Sequence, residues 1–221
     1  MVADDLSYKE AAGIRLQLKM IGIVFCLAAY CVGAIPFGLL LGRLVGIDVR
    51  SSGSGNIGAT NVSRLLGRRL GLLTLACDVL KGYLPVLAAV LWLPEDAGRE
   101  LLVALCGLAA VVGHMFSLYL RFQGGKGVAT ALGIFLFFAP QAVLISLVIF
   151  AAAVGLSGFV SVGSLLAAGL MPLWIWLLGG SPTILAMALV VVALIWFQHR
   201  ANILRLLRGE EKSWRKKEGC A

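Results

Sequence analysis

The sequence predicts an all-α integral membrane protein with seven transmembrane helices, the N-terminus outside and the C-terminus in the cytoplasm. Three observations carry this. Of the 221 residues, 60% are apolar and 14% charged, with a mean hydropathy of +0.97, more oil than a soluble domain of this size uses. The apolar runs are continuous rather than alternating, which excludes a barrel and leaves helices to satisfy the backbone in lipid. The basic residues gather between particular runs, and such loops stay on the cytoplasmic side.

Residues 1–19 form a mixed-charge tail with no assigned role. The first span runs from about Met20 to Val45 and contains Gly33-Ala-Ile-Pro-Phe-Gly38, then Gly42 and Gly46. Pro36 is expected to kink it, and glycines four apart to admit a close helix neighbour. It is too long and too kinked for a signal-peptide core, so it is read as a retained span. The second span, about Leu70 to Leu93, carries Asp78 and Lys81, three apart and so on one helical face. A lone charge in the bilayer costs ~3 kcal/mol on insertion scales, and a pair at this spacing neutralises itself. The pair is either structural or a wall of a polar site. The third span covers about Glu100 to Leu120.

Val128 to Leu156 fits one long helix or two broken at Ala139-Pro140. Charge decides between them. The stretches Arg43–Arg69, Arg121–Lys126 and Arg200–Lys217 hold 14 of the 19 Lys and Arg, and all three belong inside. That requires an odd number of spans, hence two here, the first of them short for a ~30 Å core and therefore tilted or set in a thinned bilayer. Ser157–Ser164 then turns inside, a sixth span reaches Leu178, Gly179-Gly-Ser-Pro182 turns outside, and the seventh span ends near Phe197. The chain divides into the tail 1–19, a seven-span body 20–198 and a cytoplasmic segment 199–221 that ends in a basic tail with Trp214.

The net charge of +8 suggests nucleic acid in a soluble protein, but the positive-inside rule is a sufficient cause here, and no nucleic-acid partner is expected. Cys26, Cys31, Cys77, Cys106 and Cys220 show no metal spacing. Four of them lie in apolar runs and read as small core residues, with neither a disulfide framework nor zinc.

Three polar clusters fall on the inner side. Ser51–Arg69 combines glycines, hydroxyls, the amides of Asn56 and Asn61, and Arg64, Arg68 and Arg69. It reads either as a phosphate-handling loop or as a flexible connector. His114–Gly127 places Lys126 among Gly124, Gly125 and Gly127 just before an apolar run, a position where a helix N-terminus favours anions. His199-Arg-Ala-Asn202 is the third.

Familiar motifs fail when tested. Gly53-Ser-Gly55-Asn-Ile-Gly58 fits a dinucleotide fingerprint, but no strand precedes it and Asp78, twenty residues on, lies in an apolar helix. Gly124-Gly-Lys-Gly127 lacks the spacing and hydroxyl of a Walker loop. His114 has Tyr119 rather than an acid at the place of a soluble-type acyltransferase pair. No carboxylate cluster stands ready for Mg²⁺, so no metal or other cofactor is expected. A metal-free basic site with little acid–base machinery suits acyl transfer from an already activated donor, aided by oxyanion donors and alignment of the substrates.

The stretches Ser-Gly-Asn-Ile-Gly-Ala-Thr-Asn-Val-Ser-Arg64, Phe-Gln-Gly-Gly-Lys-Gly-Val-Ala-Thr130 and His-Arg-Ala-Asn-Ile-Leu-Arg-Leu-Leu-Arg-Gly209 resemble the three motifs of the bacterial acyl-phosphate:glycerol-3-phosphate acyltransferases (PlsY family). Order and spacing match over nearly the whole chain. Gln198, Ala201 and Ser117 depart from the pattern, standing where a basic residue, a Glu and a proline are expected. The resemblance implies a metal-free reaction of acyl phosphate with glycerol 3-phosphate at the inner face of the bacterial cytoplasmic membrane, giving 1-acylglycerol 3-phosphate and phosphate. It implies that Ser54, Arg64 and Lys126 hold the phosphate of glycerol 3-phosphate. Thr60, the backbone around Gly55, Asn56, Gly58 and Asn61, and Ser164, His199 and Asn202 would line the acyl-phosphate head and reacting carbonyl, with Gly124, Gly125 and Gly127 binding substrate beside Lys126. The proton acceptor is either His199 or the donor's own phosphate, and the apolar spans supply a groove for the acyl chain, so that substrate tail and product exchange with membrane lipid. The competing class is a small transporter or flippase for a phosphorylated metabolite, favoured by kinked spans and a midplane charge pair and opposed by polar clusters on one face.

Overall fold

The computed structural model describes residues 20–95 and 98–215. Among them the regular structure is helical: α1 (20–34), α2 (Phe37–Leu44), α3 (Ala59–Leu66), α4 (Arg68–Trp92), α5 (Arg99–Met115), α6 (Val128–Phe138), α7 (Pro140–Ser157), α8 (Val160–Leu177), α9 (Pro182–Gln198) and α10 (Arg200–Leu207), with a 3₁₀ turn at Leu118–Leu120. The N-terminal tail and residues 216–221 lie outside the described residues, as do Asp96 and Ala97 of the loop after α4.

Among the described residues, five helical segments are long and apolar enough to cross a membrane: Met20–Leu44, Arg68–Trp92, Arg99–Leu120, Pro140–Ser157 and Val160–Leu177. A sixth is added if α9 and α10, which meet at a 56° bend, count as one. The expected break at Ala139-Pro140 is present. Pro140 takes the first position of α7, where its missing N–H costs nothing. The segment before it, α6, has only 11 residues.

Large side chains such as Leu72, Leu80, Leu91 and Val148 point outward, as lipid-facing positions do. The core instead packs small residues tightly. α4 lies along α6 and α7 along α8. A Cβ at Gly82 would meet Thr130 O at 2.1 Å, and one at Gly133 would meet Val79 O at 2.0 Å, so α4 and α6 touch backbone to backbone. Gly33 and Gly113 do the same for α1 and α5, against Ala110 and Tyr30. Gly38 and Gly42 have a different job from the expected helix contact. They make room for the chain that follows, at Ile57 O and Ile47 O.

The first span is broken rather than merely kinked. Pro36 lacks an N–H, and the helix stops at 34 and restarts at Phe37. The carbonyls left at the break are claimed from two sides. Ser117 Oγ donates to Ala34 O at 2.6 Å, and Lys81 Nζ donates to Ile35 O at 2.7 Å. Lys81 also lies 2.9 Å from Asp78 Oδ1, with both residues buried. The pair thus has a structural role at the break, while Asp78 also lines the cavity described below. The break also gives Ser117 a reason to be a serine.

Removing one partner of a buried pair leaves the other charge uncompensated. Lys81→Met is therefore expected to cost about 3–5 kcal/mol, seen as a lower Tm in detergent. Asp78→Leu/Lys81→Met should recover much of that loss. A single variant with the wild-type Tm would show that the pair does not hold the break.

Candidate active site

The chain between α2 and α4 is not a slack connector. A satellite core of Leu39, Val49, Ile57 and Val62 lies beneath it. Its loop is wound around Asn61, which is 1% exposed. Asn61 Nδ2 donates to Val49 O and Asn56 O, each at 2.9 Å, and Asn61 Oδ1 accepts the Ser54 N–H at 2.8 Å. Asn56 Oδ1 accepts the Gly58 N–H at 2.8 Å, an Asx turn that starts α3. Half of the glycine-rich stretch is thus helix, legible in hindsight from Val62, Leu65 and Leu66 at helical spacing. The first N–H groups of α3 have no intrahelical acceptor. Its first residues, Ala59 and Thr60, line a cavity of about 430 Å³.

Lys126 approaches the same cavity from α5. The chain turns at Arg121 and Phe122, both with positive φ (51° and 64°), and then lies back along the end of α5. Gly124 N–H donates to Met115 O and Gly125 N–H to His114 O, both at 3.0 Å. A Cβ at Gly127 would lie 2.2 Å from Met115 Cε. Burial pushes the Lys126 ammonium down from the usual lysine range to about 8, with Glu211 pulling it up and Arg205 and Arg64 pushing it further down.

The third side comes from the bend between α9 and α10. His199 is 2% exposed, and its Nδ1 lies 2.8 Å from Ile195 O. A carbonyl only accepts, so Nδ1 carries the proton and Nε2 keeps a lone pair. Gln198 Nε2 donates to Met115 O at 3.3 Å, tying this bend to the anchor of the Lys126 loop. Ala201 is exposed and lines nothing. After α10 the chain folds back. Glu211 accepts from Ser161 Oγ at 2.8 Å, Asn202 Nδ2 at 2.5 Å and Arg205 Nε at 2.8 Å. Burial would raise its carboxyl, but these three donors outweigh that and hold it below the ordinary glutamate value. Ser213 Oγ and Trp214 N–H both donate to Gly158 O at 3.0 Å, and Arg215 donates to Gly155 O. The expected basic tail is, over these residues, a strap across the α7–α8 turn.

The cavity therefore has a polar wall and an apolar body. Ser54, Asn56, Gly58, Thr60, Asn61, Arg64, Lys126, Gly127, Ser164, His199 and Asn202 all line it. Gly55, Gly124 and Gly125 do not. Gly55 N–H donates to Ser52 O at 3.0 Å, so the N–H groups of these three glycines already have acceptors within the protein. Asn61, read as a substrate contact, has its amide engaged inside the loop. Arg68 and Arg69 are exposed and away from the cavity. Sequence reasoning passed over Ser161, Arg205 and Glu211, which also line it. The signal available was Arg205 two turns after Gln198, on the polar side of an amphipathic α10. The body is lined by Phe135, Val143, Phe150, Met171 and Val191 among others. Leu75 and Leu147 line it too, and they are 38% and 42% exposed on the lipid-facing surface.

Among the described residues, a helical bundle carries a wall of hydroxyls, amides and cations over an apolar cavity, an arrangement suited to a membrane enzyme that handles an anionic head group beside an apolar chain. The chain belongs to the glycerol-3-phosphate acyltransferase family, whose profile matches residues 23–209. It is 60% identical over 194 residues to the glycerol-3-phosphate acyltransferase of Desulfotalea psychrophila, covering 88% of this chain and 98% of that one. It is 50% identical to the enzyme of the same name from Trichlorobacter lovleyi, with the same coverage. Among solved structures, PlsY (YgiH), an integral membrane glycerol 3-phosphate acyltransferase, superposes in its glycerol 3-phosphate form with a TM-score of 0.82 at 39% identity, covering 87% of this chain and 95% of that one. Its lysophosphatidic acid form gives a TM-score of 0.80. The chain is accordingly an acyltransferase of phospholipid synthesis.

Asn61→Ala is expected to destabilise, because losing the amide strands buried backbone groups at about 1–3 kcal/mol each. A thermal melt should show the loss. A variant that melts like wild type but binds substrate poorly would instead make Asn61 a ligand.

Proposed function

We propose that this chain transfers the acyl group of an acyl phosphate to the 1-hydroxyl of glycerol 3-phosphate, giving 1-acylglycerol 3-phosphate and inorganic phosphate. The carrying observation is that donors from all three motif segments converge on one cavity whose body, away from them, is lined mainly by apolar side chains such as Phe135, Val143, Phe150, Met171 and Val191. Ser54, Arg64, Lys126 and the start of α3 supply one set of phosphate donors. Thr60, Ser164, His199 and Asn202 supply another. Two anionic head groups and one acyl chain match this division. The PlsY structures, obtained with glycerol 3-phosphate and with lysophosphatidic acid, support the same substrate and product here.

In the reaction the hydroxyl oxygen attacks the acyl carbonyl carbon, and the bond from that carbon to the phosphate oxygen breaks. Phosphate leaves carrying the electron pair. The hydroxyl proton goes to His199 Nε2, whose lone pair is free in the tautomer that the Nδ1 contact with Ile195 O selects, and passes from there to the departing phosphate. Asn202 is fixed by Glu211, and donors around the carbonyl stabilise the tetrahedral intermediate. Positioning of the two phosphates contributes much of the rate, since it makes the encounter effectively unimolecular. No step calls on a metal.

We further read α6 as a short seventh crossing, with the polar wall facing the cytoplasm of a bacterial inner membrane. The basic stretches near that wall support this orientation. With single cysteines at Ser52 and Ser181 in a background without native Cys, an impermeant thiol reagent added to sealed cells should label only position 181. Labelling of position 52 would reverse the orientation.

Purified protein given acyl phosphate and glycerol 3-phosphate with a metal chelator should release phosphate and form lysophosphatidate. Absence of both products would sink the reading. Lys126→Ala should abolish turnover and leave the Tm unchanged. In the free enzyme Lys126 holds an anion only while charged, so rising pH through about 8 removes that charge. The phosphate's own second ionisation lies near 6 and does not interfere. The kcat/KM for glycerol 3-phosphate should therefore fall above about pH 8, by approaching tenfold per pH unit. A flat profile to pH 9.5 would remove Lys126 from phosphate binding.

A further inference from the structure

Behind Lys126 lie buried groups that acyl transfer leaves unemployed. Asp78 and His114 both line the cavity, but neither supplies the positive charge that Lys126 and Arg64 bring to a phosphate. Asp78 Oδ1, already 2.9 Å from Lys81 Nζ, lies 3.7 Å from His114 Nδ1. That is beyond hydrogen-bond length, and His114 Nδ1 has no other partner although the residue is only 3% exposed. The opposite edge of the ring meets Gly125, where a Cβ would sit 2.2 Å from Nε2. The same residue's carbonyl accepts the Gly125 N–H. The imidazole thus stands between a fixed ion pair and the peptide that carries Lys126.

We propose that Asp78 and His114 are positioning residues for Lys126. Asp78 sets the orientation of the imidazole, and the imidazole sets the height of the Gly125–Lys126 peptide above α5. Space-filling alone does not account for the arrangement, because Leu or Phe would fill the volume without burying a nitrogen that lacks a partner. Lys81 anchors Asp78 to the break of the first span, so the ammonium of Lys126 is referenced to the point from which α2 leads into the first motif. Binding of an anion to Lys126 draws on this chain of contacts, and a slight approach of His114 to Asp78 completes the missing hydrogen bond.

This inference rests on Lys126 holding the phosphate of glycerol 3-phosphate, and calorimetric binding of glycerol 3-phosphate alone tests it whether or not acyl phosphate is the donor. His114→Leu should weaken that binding by ~10- to 100-fold, with the KM for acyl phosphate within about twofold of wild type. His114→Asn, which keeps a nitrogen near the Nδ1 position facing Asp78, should restore most of the affinity. Gly125→Ala should weaken binding similarly, because its Cβ strikes the ring. Adding His114→Ala to Gly125→Ala removes the clash and should make matters no worse. Unchanged glycerol 3-phosphate binding in both His114→Leu and Gly125→Ala would overturn the proposal. So would a parallel loss of Tm and of both substrates' affinities, or additive losses in the double variant.

Discussion

The ammonium of Lys81 holds together what the rest of the site is built upon. It is buried beside Asp78 and donates to the carbonyl that Pro36 leaves exposed at the break of the first span. Pro36 breaks the helix there, and this donor satisfies a carbonyl at the break. From the break, α2 runs under the loop, and Gly38 lets the backbone of Ile57 come within contact. The satellite core of Leu39, Val49, Ile57 and Val62 follows from that approach. A single in-membrane ion pair thereby sets where the start of α3 points. Its desolvation cost is offset by a neutralising partner and by the Ile35 carbonyl at the break.

A division of labour runs through the polar residues. Those with buried amides and glycine backbones organise the loops, while those with long cationic or compact nucleophile-facing side chains reach the cavity. Asn61 and Gly125 belong to the first group; Arg64, Lys126 and His199 belong to the second. The distinction is physical. The amide of Asn61 is buried and pairs its polar atoms within the loop, so it finishes its work inside the protein. A lysine or arginine can leave its head in a polar cavity while its stem packs.

The helical, membrane-spanning character was legible because apolar runs and proline breaks report directly on a lipid environment. The break at Ala139-Pro140 and the polar character of Ser54, Lys126 and His199 were visible for the same reason. Other parts were hidden by context. Gly124 and Gly125 look alike whether they cradle an anion or let two backbones touch, and here they touch α5. Glu211 stands in a charged run, Glu210-Glu211-Lys212, that reads as a solvated tail. Only the return of the chain against Gly158 gives its carboxylate three donors. α3 was obscured by the glycines before it, although its own eight residues contain none.

The apolar body of the cavity opens at Leu75 and Leu147, both partly exposed, whereas its polar wall lies where the three motif segments meet. If the acyl donor is the membrane-borne acyl phosphate proposed above, the two reactants arrive from phases of different dimensionality. Glycerol 3-phosphate obeys ordinary bulk concentration. The acylated donor is counted as a mole fraction within the plane of the membrane. Diluting that plane with inert lipid or detergent slows the enzyme even when the total amount of donor per volume is constant. Saturation by the lipid substrate is thus a property of the surface, and flux through this enzyme tracks how much of the membrane its donor occupies.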